Sequence, residues 1–162
     1  MLPFRITPSD FNAKILDAAF AILPAAMDTT RARVMVIAIC LQESGLAHRR
    51  QVGGPARGFP QMEKGGGVRG VLQHHASRRI AADVCKQRGV DPEPDDVYNA
   101  LDKDDVLAAC FARLLLWTSP KALPDDEDAC WDYYIDCWRP GKPHRNRWTA
   151  NYKAARDTIY GN

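Results

Sequence analysis

The segment Arg33-Val-Met-Val-Ile-Ala-Ile-Cys-Leu-Gln-Glu-Ser-Gly45 decides the fold. Its apolar residues run without interruption from Val34 to Leu41, whereas a helix at a protein surface carries polar residues along one face. Thr29 or Thr30 can cap the start of a helix here, and Gly45 can end it. Because this helix is apolar nearly all round, we expect it to be the buried central helix of the domain.

Seven further segments have apolar residues at the three- and four-residue spacing that is typical of helices. These predicted helices cover residues 10–23, 68–74, 78–88, 95–101, 103–118, 124–138 and 146–160. Their candidate N-terminal caps are Ser9 or Asp10, Ser77, Asp95, Asp102 and Asn146. Proline or glycine follows most of these segments, which indicates where each helix ends.

Glycine interrupts the helical pattern between Gly45 and Gly70, where eight of the eleven glycines lie together with Pro55 and Pro60. This composition predicts a loop with at most a short β-hairpin. The expected fold class is therefore mainly α (α+β), a helical domain with a small Gly-rich β-hairpin or loop segment. The length of 162 residues predicts a single domain over residues 1–162.

The composition excludes several classes of protein. Hydrophobic residues make up 46% and charged residues 26%, which is typical of a globular chain and not of a disordered one. The longest apolar run is far too short to span a membrane, and the first residues lack the pattern of a signal peptide. A net charge of +2 argues against a nucleic-acid partner, and no helix-turn-helix motif accompanies it.

The charges are nevertheless segregated along the chain. Residues 31–88 contain eleven basic and three acidic residues, whereas residues 89–136 contain three basic and thirteen acidic ones. Such a distribution either steers an anionic polymer to one face or reflects the solvated faces of helices. On the first interpretation, Arg49, Arg50 and Arg57 would contact that polymer.

The five cysteines are expected to be free thiols, and three of them lie within apolar helical patterns: Cys40, Cys85 and Cys110. The His74-His75 pair and the scattered cysteines lack the spacing of a zinc site, so no metal or other cofactor is expected.

Glu43 is the residue that does not fit its surroundings, because it follows an apolar run on the last turn of a buried helix. At the edge of an apolar site the charged form of a carboxyl group is disfavoured, so its pKa rises. A raised pKa suits a general acid, which must hold its proton near neutral pH. The alternative is that Glu43 lies on the exposed side of the final turn.

The phrases Gln42-Glu43-Ser44-Gly45 and Gly54-Pro-Ala-Arg-Gly-Phe-Pro-Gln-Met-Glu63 resemble the lysozyme-like superfamily of goose-type lysozymes and lytic transglycosylases. That family has a Glu-Ser pair at the end of a buried helix, followed by a short β segment of the form Gly-Leu-Met-Gln. Similar phage and prophage proteins share the Gly-Pro-Ala-Arg-Gly-Phe phrase but have tryptophan where this chain has Pro60. The resemblance covers residues 34–62 well and the remainder loosely.

The resemblance implies roles for individual residues. Glu43 would be the catalytic acid, with Ser44 positioning the acid or the N-acetyl group of the substrate. Glu63 would be a second catalytic carboxylate in a hydrolase, or would be dispensable in a transglycosylase. The remaining residues implied to contact the substrate are Gly58, Phe59, Gln61, and either Tyr133 or Tyr134. One of the two tyrosines would present its hydroxyl to Glu43. The aromatic spacing from Trp131 to Trp138 also fits a buried helix face.

The implied activity is cleavage of the β-1,4 bond between N-acetylmuramic acid and N-acetylglucosamine in peptidoglycan. A monomeric phage protein would reach the wall through a holin or within the virion, alongside other virion proteins. Two alternatives remain: a chitinase-like glycosidase of the same superfamily, and a catalytically degenerate module that binds glycan or builds the virion.

Overall fold

The structure is a computed structural model that describes residues 4–161, and these residues form eight helices, α1–α8. Helix α1 consists of Pro8–Asp10, a π-helical stretch Phe11–Leu16, and Asp17–Ile22, and α2 is Thr30–Ser44. The segment Lys64–Val68, which is kinked at Gly66 (φ −102°, ψ −105°), continues into Arg69–Gln73 to form α3. The remaining helices are α4 Arg78–Arg88, α5 Pro94–Ala100, α6 Asp105–Trp117, α7 Glu127–Trp138 and α8 Arg145–Tyr160. The prediction of a mainly helical fold is confirmed.

Several predicted caps are wrong by a few residues. Thr7 caps α1 by accepting a hydrogen bond from the N–H of Asp10, because Pro8 occupies the first helical position. Asp104, not Asp102, caps α6 by accepting from the N–H of Leu107. Of the two candidate caps of α2, Thr29 and Thr30, it is Thr29 that accepts a hydrogen bond, from the N–H of Ala32.

Three other residues that were predicted to cap helices, Asp95, Asn146 and Ser77, accept no capping hydrogen bond from a helix N–H group. Glu93 precedes α5, which begins at Pro94 rather than after Asp95, and His144 precedes α8 in place of Asn146. Ser77 does precede α4, but its hydroxyl donates to the carbonyl oxygen of Val71 at 2.7 Å. Ser77 therefore ties α3 to α4 instead of satisfying the first N–H groups of α4.

The core forms around α2, whose residues Met35 to Cys40 are fully buried. Helices α1, α6 and α8 pack against α2 and cover it on its different sides. Helix α6 is the second buried helix, since all its residues from Leu107 to Leu116 are buried. The buried apolar side chains belong to one core cluster, apart from Ala47 and Ala56.

Other findings concern the chain as a whole. All five cysteines are free, and four of them are buried, Cys137 being half-buried. Within residues 4–161 no helix is both long and apolar enough to cross a membrane. Residues 1–3 and 162 lie outside the described residues. They include the ends of the predicted domain and the first part of the segment in which no signal peptide is expected.

The glycine-rich segment contains two isolated antiparallel bridges, Arg50 with Arg57 and Arg57 with Met62, and the described residues form no strand ladder. Of the two predicted forms, a β-hairpin or a loop, the hairpin is not confirmed. Pro60 has no N–H to donate to a ladder, and Gln61 has a positive φ of 54°, so the chain turns where a strand would continue.

A buried ion pair fixes this segment to the helices. The guanidinium of Arg49 donates to both carboxylate oxygens of Asp105 at 2.8 Å, and their side chains are only 7% and 9% exposed. The same guanidinium lies 4.5 Å from the ring centre of Phe59. The expectation that Arg49 contacts a polymer is wrong, because its charge is used inside the protein.

Gly58 faces the helices and not a substrate, which corrects its predicted role. Its φ is +75°, and a Cβ atom at this position would lie 3.1 Å from both the Cβ of Ala108 and the carbonyl oxygen of Leu101. Glycine is required here by both the left-handed backbone and the close approach to α6.

We therefore predict that Gly58→Ala lowers the free energy of unfolding by about 1–3 kcal/mol, because alanine is strained at this φ and crowds Ala108. Urea denaturation measures the loss. Gly70→Ala, in α3 with open space around the new methyl group, is the matched control and should cost nothing. Equal stability of Gly58→Ala and the natural protein would contradict the assignment.

Candidate functional site

Glu43 lies half-buried on the last turn of α2, where the apolar run gives way to the left-handed Gly45. Its carboxyl group lines a cleft of about 510 Å³. Glu63, Gln61, Tyr134 and Trp138 line the same cleft. The cleft therefore brings together residues from α2, the glycine-rich segment and α7.

Tyr134 is the direct partner of Glu43, because its hydroxyl donates a hydrogen bond to Oε2 of the carboxyl group. The Tyr134 ring is buried and stacks on Trp148, with ring centres 5.4 Å apart and planes 3° from parallel. Trp131 and Trp138 contact the same ring from α7 itself. This aromatic cluster holds the hydroxyl in place.

Tyr133 points away from the cleft. Its hydroxyl lies 2.9 Å from the carbonyl oxygen of Leu116 and 3.0 Å from that of Lys121, and it can donate to either. Adjacent residues on a helix project about 100° apart, so only one of the two tyrosines can face Glu43. The structure places Tyr134 there, which corrects the candidate role of Tyr133.

The pKa of Glu43 is raised above its ordinary value of 4.5, as the net result of two effects that raise it and one that lowers it. Burial acts most strongly, because it disfavours the charged carboxylate. The hydrogen bond from Tyr134 lowers the pKa, and the negative charge of Glu63 raises it. The pKa of Tyr134 is itself raised by burial and by Glu43, so its hydroxyl keeps its proton and remains a donor.

Ser44 and Phe59 do not face the cleft as substrate contacts would. The Ser44 hydroxyl is buried and lies 2.7 Å from the carbonyl oxygen of Phe59 and 2.9 Å from that of Cys40. Phe59 is 1% exposed and packs edge-on against Phe11 in the core. Both residues instead fix the glycine-rich segment to the end of α2, which positions the wall of the cleft.

Gln61 combines a structural role with a place in the cleft wall. Its side-chain amide donates to the carbonyl oxygen of Gly58 at 2.8 Å, which stabilises its own positive φ. The indole N–H of Trp138 donates to the carbonyl oxygen of Pro60 at 2.9 Å. These two bonds make one wall of the cleft rigid and join it to α7.

The sequence analysis did not predict the residues on the opposite rim of the Glu43 cleft. Gln42 donates to the carbonyl oxygens of Pro143 and His144 at 2.9 and 3.0 Å, and so anchors the loop between α7 and α8. This loop and the first turn of α8 place exposed cations along the cleft: Arg139, Lys142 and Arg147. The excess of Lys and Arg in the C-terminal segment is the feature of the sequence that could have indicated this basic rim.

The other two arginines of the glycine-rich segment also have partners inside the protein. Arg50 forms an ion pair with Asp102. Arg57 lies 5.2 Å from the ring centre of Tyr98 and donates to carbonyl oxygens of its own loop. The predicted contacts of these arginines with a polymer have no support in the geometry.

Comparisons with known proteins give no identification. No family model, curated protein or solved structure matches the chain. Among the side chains of residues 4–161, no cluster of three or more His, Cys, Asp or Glu residues could hold a metal ion. The chemistry of the site is therefore interpreted from its own geometry.

Two substitutions should move the pKa of Glu43 in opposite directions. Tyr134→Phe removes the hydrogen bond that stabilises the carboxylate, so the pKa should rise. Glu63→Gln removes a neighbouring negative charge, so the pKa should fall. A ¹³C NMR titration of the Glu43 carboxyl, assigned from its absence in Glu43→Gln, measures both shifts.

Tyr133→Phe is the matched control, because its hydroxyl bonds to backbone carbonyls away from the cleft and should leave the pKa of Glu43 unchanged. Shifts of the same sign in Tyr134→Phe and Glu63→Gln would contradict this account of the electrostatics.

Proposed function

We propose that this protein cleaves the glycan strands of peptidoglycan between N-acetylmuramic acid and N-acetylglucosamine, with Glu43 as the general acid. The observation that carries this proposal is the environment of Glu43. Its carboxyl is half-buried at the wall of an open cleft, its pKa is raised, and a buried tyrosine orients it. The Glu43-Ser44 and Gly58-Phe59-Pro60-Gln61 phrases, which resemble the lysozyme-like superfamily, support the same chemistry.

The reaction begins with transfer of a proton to the glycosidic oxygen. A carboxyl group with a raised pKa keeps its proton to a higher pH than an ordinary one, and can deliver it as the sugar develops oxocarbenium character. The Tyr134 hydroxyl then stabilises the carboxylate that remains, because it donates to Oε2 of Glu43. The reprotonation of Glu43 prepares the next cycle, and no cofactor takes part.

The shape and charge of the cleft suit a polymeric anionic substrate. The cleft is open to solvent and has more polar than apolar lining, as expected for a sugar-binding site. The exposed cations on its rim, Arg139, Lys142 and Arg147, suit the carboxylates of the peptides attached to the glycan. Such a protein would serve in phage lysis or wall penetration, released through a holin or carried in the virion.

Glu43 is the better-placed of the two cleft carboxylates, and this favours the transglycosylase reaction. Glu63 is exposed at the cleft edge, where no side chain of the described residues holds it by a hydrogen bond or ion pair. A transglycosylase needs no second carboxylate, because the 6-hydroxyl of the muramic acid attacks in place of water and Glu43 accepts its proton.

Glu43→Gln should reduce clearing of purified cell-wall sacculi by at least about 100-fold, because glutamine has nearly the same shape but donates no carboxyl proton. Turbidity loss measures the activity, and circular dichroism verifies the fold. Glu93→Gln, an exposed glutamate preceding α5, is the matched control and should retain full activity. Near-natural clearing by Glu43→Gln would refute the assignment, and cleavage of chitin oligomers without clearing of sacculi would indicate a chitinase-like enzyme.

The products distinguish the two reaction types. We expect anhydromuropeptides, which are lighter than reducing muropeptides by one water, and we expect Glu63→Gln to retain most of the activity. Mass spectrometry of digested sacculi identifies the products. Reducing-end products together with a severe defect in Glu63→Gln would instead establish Glu63 as the base of an inverting hydrolase.

A further inference from the structure

Arg113 is a buried cation without an acidic partner. It lies within α6, is 4% exposed, and donates from Nε to the carbonyl oxygen of Met27 at 3.0 Å. Its guanidinium also lies 5.4 Å from the ring centre of Trp117. No carboxylate of residues 4–161 forms an ion pair with it, and its two Nη atoms make no hydrogen bond to a described residue.

A buried charge of this kind is costly unless something pairs with it. Partial desolvation of a guanidinium disfavours its charged form. No fully buried side-chain nitrogen of the described residues lacks a hydrogen-bond partner, so the unpaired Nη atoms of Arg113 open into the cavity beside it. Burial accordingly lowers the pKa of Arg113. The environment of Arg113 therefore lacks an anion.

Arg113 lines a cavity of about 780 Å³, which shares no lining residue with the Glu43 cleft. This volume is within the range of small-molecule sites. Tyr133 and Leu116 also line the cavity, as do Thr29 and Thr30 at the start of α2.

The electrostatics of this cavity favour an anion throughout. Its lining contains Arg31, Arg113 and Lys121 but no aspartate or glutamate. The first turn of α2, a fifteen-residue helix, carries no acidic residue, so the positive end of its dipole meets no acidic side chain within that turn. Asp125, which pairs with Arg31 at 3.1 Å, lies outside the lining.

An apolar surface accompanies these positive charges. Trp117 is 39% exposed although it is a large aromatic residue, and Leu116, Pro120, Ala122 and Leu123 lie in the same lining. Apolar side chains around a small number of converging polar groups are typical of sites for small organic ligands.

From this geometry we infer that the Arg113 cavity is a binding site for a small organic carboxylate with an aromatic or apolar body. The carboxylate pairs with the two Nη atoms of Arg113, whose planar fork matches its two oxygens. The body of the ligand packs on Trp117. One negative charge balances one buried guanidinium, which favours a carboxylate over a phosphate dianion.

The test uses 2-naphthoate as the probe and its uncharged analogue 2-naphthamide as the control ligand. NMR follows the indole N–H of Trp117, which is assigned from its absence in Trp117→Phe, and calorimetry measures affinity. We expect 2-naphthoate to bind about tenfold or more tightly than the amide, because the ionic hydrogen bonds are lost with the charge. Inorganic phosphate should bind much more weakly than 2-naphthoate.

Arg113→Met should reduce the affinity for 2-naphthoate to that for the amide and should raise the thermal midpoint of the ligand-free protein, since it removes an unpaired buried charge. Trp117→Ala, at a partly exposed position, should weaken both ligands, and it keeps the test valid if Arg113→Met does not fold. Arg79→Met, an exposed arginine on α4, should change neither ligand. Absence of saturable 2-naphthoate binding, equal affinity for acid and amide, or phosphate binding as tight as that of 2-naphthoate would overturn the inference.

Discussion

The burial of α2 on every side is the constraint to which the other elements respond. A helix without a polar face is stable in water only when neighbours cover its whole circumference, and α1, α6 and α8 provide that cover. The apolar run stops at Leu41, so the polar turn that follows is where the C-terminal end of α2 emerges from the core. Glu43 therefore reaches the edge of the core as a consequence of how the core is built.

The environment of Glu43 balances opposing effects. Burial and the charge of Glu63 disfavour the carboxylate, whereas the Tyr134 hydroxyl favours it, and burial dominates. Tyr134 can act in this way because its ring is stacked against Trp148 and its own pKa is raised, so that it remains a rigid donor. The aromatic residues of α7 and α8 thus serve both the core and the candidate site.

Two buried arginines, one paired with the first residue of α6 and one within α6, illustrate how a buried charge can have different consequences. Arg49 meets Asp105 in a two-pronged ion pair and stacks on Phe59, so its charge is balanced and the glycine-rich segment is fixed. Arg113 is equally buried but has a carbonyl oxygen and an aromatic ring as its neighbours. The charge of Arg49 is balanced by a carboxylate of the same chain, whereas Arg113 faces a cavity.

The sequence by itself determined the number of helices, the central burial of α2 and the unusual position of Glu43, because each depends on spacing along one helix. The sequence did not predict several helix caps correctly. Several residues within one short stretch could each begin the helix, either a proline at its first position or one of several neighbouring aspartates as its cap. Only the tertiary structure decided that Tyr134 faces Glu43, that Gly58 and Phe59 face the core, and that Arg49 is internal. These outcomes depend on which face of each element meets its neighbours, and contacts between residues distant in sequence set those faces.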